Sequence, residues 1–279
     1  MRSNLFVPAY NQKYIDNIKK TNFDYYIFDL EDSVPKNKKK IARFNIRKFF
    51  KDKNNKNFFF RINSLDSEYF KDDILLLKDI CKKTESKINI ILPKTQDQKD
   101  IKSLIKSYGY KCNIFPLIET AKSLINLEKI VTASELVKGL ILGTEDMIAD
   151  FKASKMSSSI LDLARMRSLI VCRAYKKICI DTVITDVKNL NYFKSFCKKS
   201  FNEGFDGILC LNIKQAKIAH NEFSISSKYY KNIKSIVKKY ERGEKTVYYS
   251  KKNKNSIFLS PPTIKIFKNF IEKYEKQNS

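Results

Sequence analysis

Short apolar runs recur along the chain at a steady spacing. They cover residues 5–9, 25–30, 58–62, 88–92, 114–118, 136–142, 182–185 and 208–211, and each is four to seven residues long. They are apolar throughout instead of alternating, which suits strands of a parallel sheet buried on both faces. Amphipathic, Lys-rich segments of helical length lie between them, at 37–50, 67–83, 96–108, 121–133, 158–177 and 190–203. Strand and helix in alternation, eight times over, predict a closed (β/α)8 TIM barrel. A doubly wound open sheet is the weaker rival, because no Gly-rich nucleotide loop follows the first run.

The barrel pattern spans residues 1–225, taken as the catalytic domain. From 226 to 279 the texture changes to a helical run at 229–240, loop signals at Gly243 and 251–255, and a last amphipathic helix at 264–274. This C-terminal helical extension is too short for an independent domain and is expected to cap the barrel or reach a neighbouring subunit.

Composition changes the picture little. No apolar run reaches the length of about 18 residues that spans a bilayer. The first ten residues read as a strand and not as a signal peptide. Six cysteines are scattered without a CxxC pair, which points to a reducing, cytoplasmic setting and away from a zinc site. The formal charge of +25 invites a polyanion partner. Yet the excess is mostly Lys, spread along the chain in pieces such as 36–40 and 251–254, beside much Asn, Ile, Phe and Tyr. Compositional drift accounts for that spread better than a nucleic-acid surface does.

Active sites of such barrels lie at the C-terminal strand ends. Those ends carry Asp29, Glu31 and Asp32, then Arg61 and Asn63, then Lys94, Glu119, Glu145 and Asp146, then Asp181 and Asp186, and finally Asn212. Carboxylates thus stand at four of eight strand ends in a chain of surplus positive charge, and like charges brought together favour a bound cation. Hard oxygen ligands without His or Cys favour Mg2+ over Zn2+. The competing reading makes the acids and threonines helix caps; it is preferred for Thr120 and Thr144, and the metal reading for Glu119. His220 is the only histidine, which excludes sites that need two; it is read as a surface or structural residue. Lys94 could form a Schiff base with a carbonyl substrate, although a cation paired with the acidic rim is preferred. Arg61 suits a bidentate grip on a carboxylate.

Several stretches together resemble the HpcH/HpaI aldolase and citrate lyase beta-subunit superfamily, in its citrate-lyase-beta-like branch. They are Arg2-Ser3-Asn4-Leu5-Phe6-Val7-Pro8; Phe28-Asp29-Leu30-Glu31-Asp32-Ser33-Val34 with Lys39 and Ala42-Arg43; Arg61-Ile62-Asn63; and Leu92-Pro93-Lys94. Further on come Pro116-Leu117-Ile118-Glu119-Thr120-Ala121, Leu142-Gly143-Thr144-Glu145-Asp146-Met147, Ile180-Asp181-Thr182-Val183 and Gly204-Phe205-Asp206-Gly207. The resemblance implies a (β/α)8 barrel assembled as a homotrimer or homohexamer. It implies Mg2+ held by Glu119 and Asp146, a site lined by Glu31 and Asp32, and Arg61 on the carboxylate or enolate of an oxo-acid. Pro8, Thr144 and Glu145 join Arg61 as substrate-binding residues, and Lys94 joins Arg61, Glu31 and Asp32 as catalytic. The implied reactions are carbon–carbon cleavage or condensation of small 2-oxo acids or their acyl-CoA adducts, with CoA as part of the substrate.

Two departures stand out. Leu211-Asn212-Ile213 occupies the place of the family's Ile-His-Pro, and Ser260-Pro261-Pro262 the place of an Asp-x-Pro whose Asp moves a proton at a subunit boundary. A serine does not replace that carboxylate as a base at neutral pH without an activating partner. The departures fall on the acyl-CoA half of the expected site, and the oxo-acid half is intact. A Mg2+-dependent carbon–carbon lyase is the leading reading. A Schiff-base aldolase using Lys94 and a non-catalytic family member that binds a partner are the alternatives.

Overall fold

The computed structural model describes residues 1–51, 57–154, 158–244, 247–250 and 255–278. The chain divides into two compact units, 1–223 and 224–279. In the first, eight parallel strands close into a barrel in sequence order, with β8 paired back to β1.

The first half of the barrel runs β1 (Ser3–Pro8), α1 (Gln12–Lys19), β2 (Tyr25–Asp29), α2 (Lys39–Phe49), β3 (Phe58–Arg61), α3 (Phe70–Thr84), β4 (Ile88–Leu92) and α4 (Gln98–Tyr108). The second half runs β5 (Cys112–Ile118), α5 (Ala121–Ile125), α6 (Leu127–Thr132), β6 (Gly139–Leu142), α7 (Thr144–Asp150), α8 (Ser158–Ala174), β7 (Ile178–Asp181), α9 (Leu190–Glu203), β8 (Gly207–Cys210) and α10 (Ile213–Glu222). Unit two holds α11 (Ser227–Glu241), the antiparallel pair β9 (Val247–Ser250) and β10 (Asn255–Phe258), and α12 (Pro261–Asn278).

Strand alternation sorts the apolar residues into two layers. Ile27, Phe59, Ile91, Phe115, Leu117, Ile141, Ile180 and Leu209 point inward and fill the barrel. Their neighbours point outward under the helices and form the larger core. That outer layer is aromatic between β2, β3 and α2, where Phe28 stacks on Phe58 and Phe60 and meets Phe49 and Phe50 edge-on. The barrel closes tightly between β8 and β1. A Cβ on Gly207 would stand 1.7 Å from the Met1 carbonyl oxygen, so only glycine fits there.

The structure corrects the sequence pattern in four places. The seventh strand is Ile178–Asp181 and not 182–185; apolar residues continue past it at Val183 and Ile184, which drew the expected strand forward. The segment read as one helix at 121–133 is two, broken at Asn126, whose side-chain amide donates to the Gln96 carbonyl. Helices α1, α7 and α10 were not foreseen, since none shows a long amphipathic pattern. In unit two, part of the stretch read as loop at 251–255 lies outside the described residues; its last residue, Asn255, begins strand β10.

Candidate active site at the barrel mouth

Register sets the floor of the mouth. Pro8, Asp29 and Arg61 are neighbours across β1, β2 and β3. Asp29 is fully buried, and its carboxylate takes both Nε and Nη2 of Arg61, at 2.7 and 2.6 Å. Burial alone would raise the Asp29 pKa, but the guanidinium outweighs it and holds the carboxyl below its usual range. The same attraction keeps Arg61 charged despite its burial. The bidentate fork expected to grip substrate is therefore engaged by Asp29. What Arg61 presents is Nη1, 3.5 Å from Glu31 and 3.7 Å from Asp32. Its guanidinium lies over the Phe6 ring at 4.8 Å.

The turn after β2 carries Glu31 and Asp32. Its amides at Glu31 and Ser33 donate to Asp29, 3.0 and 3.1 Å away. Glu31 is buried and Asp32 largely exposed. Burial pushes the Glu31 carboxyl up to about 8, with Arg61 opposing and Asp32, Glu119 and Asp29 adding to the rise. Its Oε1 is buried and has no hydrogen-bond partner among the described residues.

Opposite stands Glu119, directly after β5 and 2% exposed. Burial pushes it up to about 7, and Asp146 adds its repulsion. Its Oε1 accepts the Lys94 backbone amide at 2.5 Å. Lys94 adopts a left-handed backbone (φ 52°) to aim that amide, a conformation costly for a residue with a Cβ. Its side chain is 52% exposed, with Nζ 3.9 Å from Glu31. Glycine at 143 makes room for Glu119, because a Cβ there would stand 2.8 Å from Oε2.

Asp146 and Glu145 lie exposed in the first turn of α7, where the helix dipole favours negative charge. Thr120 caps α5 as expected, accepting from the Ser123 amide. Thr144 does not cap α7. Gly143 holds that position, and the Thr144 hydroxyl bonds Thr182 at 2.7 Å.

The acidic rim is smaller than the sequence implied. Asp181 turns away from the mouth to meet the fully buried Arg165 of α8 at 2.8 Å and Ser200 of α9 at 2.6 Å. Asp186 is exposed and turns the loop before α9 by accepting the Lys188 and Asn189 amides. Asn212 caps α10. Beside it a cavity of about 390 Å³ is lined by Phe6, Tyr14, Val187, Leu211 and Lys214, among others. His220 is far from the mouth in role, set against Asp24 and Phe23. Ser260 caps α12 in the second unit.

Two supports escaped the sequence reading. Asp29 stands among the acids at the strand ends, but its role as the partner of Arg61 was not read, though its position two residues before Glu31 gives it the same inward direction. Lys39 stands in a stretch that carries the family resemblance, but in a chain so rich in lysine its spacing alone gives it no role.

Among the described residues, no three acids, histidines or cysteines converge on one point. The donor set is nonetheless apt for Mg2+, which takes one or two carboxylates and keeps several waters. Burial raises the carboxyls of Glu31 and Glu119, with repulsion from Asp32 and Glu119 adding at Glu31 and from Asp146 and Asp32 at Glu119, and Glu31 has a buried oxygen without a hydrogen bond among the described residues.

A family model described as HpcH/HpaI aldolase/citrate lyase matches residues 2–213. The citrate lyase subunit beta of Haemophilus influenzae is 28% identical over 250 residues, spanning 85% of this chain and 84% of its own length. The (3S)-malyl-CoA thioesterase of Cereibacter sphaeroides is 26% identical over 233 residues, 81% of this chain and 78% of its own. A solved structure of CitE from Mycobacterium tuberculosis, in complex with magnesium, acetoacetate and coenzyme A, matches with a TM-score of 0.78 at 18% identity. It covers 99% of this chain and 100% of that one. That last likeness is one of fold.

Proposed function

Since the chain belongs to the HpcH/HpaI aldolase/citrate lyase family and is a lyase of it, we propose that it makes or breaks carbon–carbon bonds in small 2-oxo acids or their acyl-CoA adducts. The observation that carries this reading is the buried Glu119, given room by Gly143, fixed by the Lys94 amide and repelled by Asp146. Glu119 and Asp146 would hold Mg2+. When bound, the cation supplies a Lewis acid for the negative charge that develops on the substrate oxygen.

The chain's own residues do the rest. Arg61 Nη1 orients the substrate carboxylate, while Asp29 keeps the guanidinium from turning. Pro8, Thr144 and Glu145 line the approach. Glu31 Oε1, buried, without a hydrogen bond among the described residues and 3.9 Å from the Lys94 ammonium, is the atom placed to hold or move a proton near neutral pH. Asp32 adds charge at the open side. The cavity beside Phe6 and Leu211 suits an acyl substituent or thioester arm, with Lys214 at its edge. Asn212 in place of a histidine leaves that side without a titrating group.

The exposure of the Lys94 ammonium and its 3.9 Å approach to Glu31 support an ion-pairing role over a Schiff base, which needs a desolvated amine. The six free thiols support a reducing, cytoplasmic setting. Assembly as a homotrimer or homohexamer follows from the family resemblance, and light scattering measures it.

The test is proton exchange in D2O. Pyruvate and acetyl-CoA are incubated separately with the protein and Mg2+, and methyl signals are followed by NMR. Exchange that disappears on chelation and in Glu119→Gln supports the proposal. Exchange that survives both, with a borohydride-trapped adduct on Lys94, would replace it with the Schiff-base route.

A further inference from the structure

The turn that presents Glu31 and Asp32 is held from two sides. Its amides are taken by Asp29, as described above. Its carbonyls are taken by Lys39, at the first position of α2. The Lys39 ammonium donates to the Leu30 and Glu31 carbonyl oxygens, each at 2.7 Å, and to Asn63 Oδ1 at 2.8 Å. Lys39 is only 6% exposed, so all three donors of the ammonium are engaged. The anchor behind it is rigid. Asn63 Nδ2 donates to Leu30 O and to Asp73, and Asp73 is paired with Arg43 of α2. The Tyr69 ring lies 5.5 Å from Nζ.

A buried lysine is costly unless its bonds are needed. The buried face of α2 otherwise holds Ala42, Ile46 and Phe49 with Arg43, whose charge is met by Asp72 and Asp73; the charge of Lys39 is met by main-chain and amide oxygens of the turn instead. The cation is spent on the main chain of the turn that carries two acids to the mouth. We propose that Lys39 is a positioning residue: it fixes the Leu30–Glu31 backbone so that Glu31 and Asp32 face Arg61 and Glu119, and thereby sets the affinity of the mouth for a divalent cation. The inference rests on the function proposed above.

The experiment is Mn2+ binding to the full chain, followed by electron paramagnetic resonance, in wild type, Lys39→Ala, Asn63→Ala and Glu119→Gln. Lys39 orders the Glu31–Asp32 turn that faces Glu119, and loss of such an outer partner of a metal site weakens affinity by about 10- to 100-fold. Lys39→Ala is expected in that range, with a single thermal transition kept. Propylammonium, which refills the vacated volume and charge, is expected to restore binding, while tetramethylammonium is not, because it donates no hydrogen bond. Asn63→Ala, which frees one of the three contacts, is expected to weaken binding by a smaller factor. It decides the matter if Lys39→Ala does not fold. Unchanged affinity in the variant that folds, or loss that no amine restores, overturns the role of Lys39. Absence of Mn2+ binding in wild type overturns the metal reading itself, which keeps the two failures apart.

Discussion

From β2 to β6 the strand ends at the mouth are charged and cross-braced, whereas at β8 and β1 they line a mainly apolar cavity with Asn212 and Lys214 at its edge. On the first side Asp29, Arg61, Glu31, Lys39 and Asn63 form one connected network facing Glu119. On the other, Phe6, Val187 and Leu211 line an open cavity, and the aspartate of β7 is turned outward to Arg165. The same residue type thus serves two ends. Asp29 orients groups at the mouth, while Asp181 ties α8 and α9 to the barrel wall. The difference follows from strand parity and from which helix supplies the counterion. Asp29 meets an arginine on the neighbouring strand at its own level, and Asp181 meets one on a covering helix.

The contrast is broken most strongly at Arg165. Arg165→Ala leaves Asp181 and Ser200 buried without their cation, and is expected to cost about 3–5 kcal/mol in denaturant unfolding. Metal affinity of the folded fraction is expected to stay at the wild-type level. A loss of metal binding without loss of stability would reverse the assignment of the two sides. Glu119→Gln is the mirror experiment. It is expected to lower Mg2+ affinity by about 100-fold by calorimetry, with stability held or improved, because a repelled buried charge is removed.

The pH response sharpens the same point. Glu31 and Glu119 are raised to about 8 and about 7, so each is costly to ionise in the metal-free fold. Protons compete with the cation for these oxygens. Mg2+ affinity is therefore expected to rise from pH 6 to pH 8 by about tenfold or more, with protons released on binding. A flat profile would place the cation away from both acids. Without metal the sign for stability is opposite. A raised carboxyl contributes while protonated, and that contribution is lost as pH climbs through 7 to 8. The smallest effect is expected at Gly143→Ala, whose Cβ would press on Glu119 Oε2. A shift of a few tenths of an ångström is expected to weaken metal binding several-fold, by about 1 kcal/mol.

Much of this was legible in the chain because continuous apolar runs and their spacing report parallel strands directly. Seven of the eight runs coincide with the barrel strands. The seventh strand was misplaced because apolar residues run from Ile178 to Ile184 with only Asp181 and Thr182 between, so the run did not mark where the strand ends. Glu119 could be singled out because it ends an apolar run. Asp181 was grouped with Asp186 at the seventh strand as part of the acidic rim, yet its partner Arg165 lies 16 residues away on a helix, and such pairings leave no local trace. Lys39 belongs to a stretch that carries the resemblance, but its role was hidden for the same reason. On an amphipathic helix a lysine at the buried edge reads as solvated until its three oxygen partners are seen.

The central claim is that the cation sits between Glu119 and Asp146, on the charged side of the mouth. An anomalous difference map from crystals soaked in Mn2+ tests it most directly. The account predicts one strong peak about 2.1 Å from a Glu119 carboxylate oxygen, with Asp146 on its other side and water completing the shell. A peak at the apolar side beside Leu211, or none at the mouth at saturating Mn2+, would contradict it.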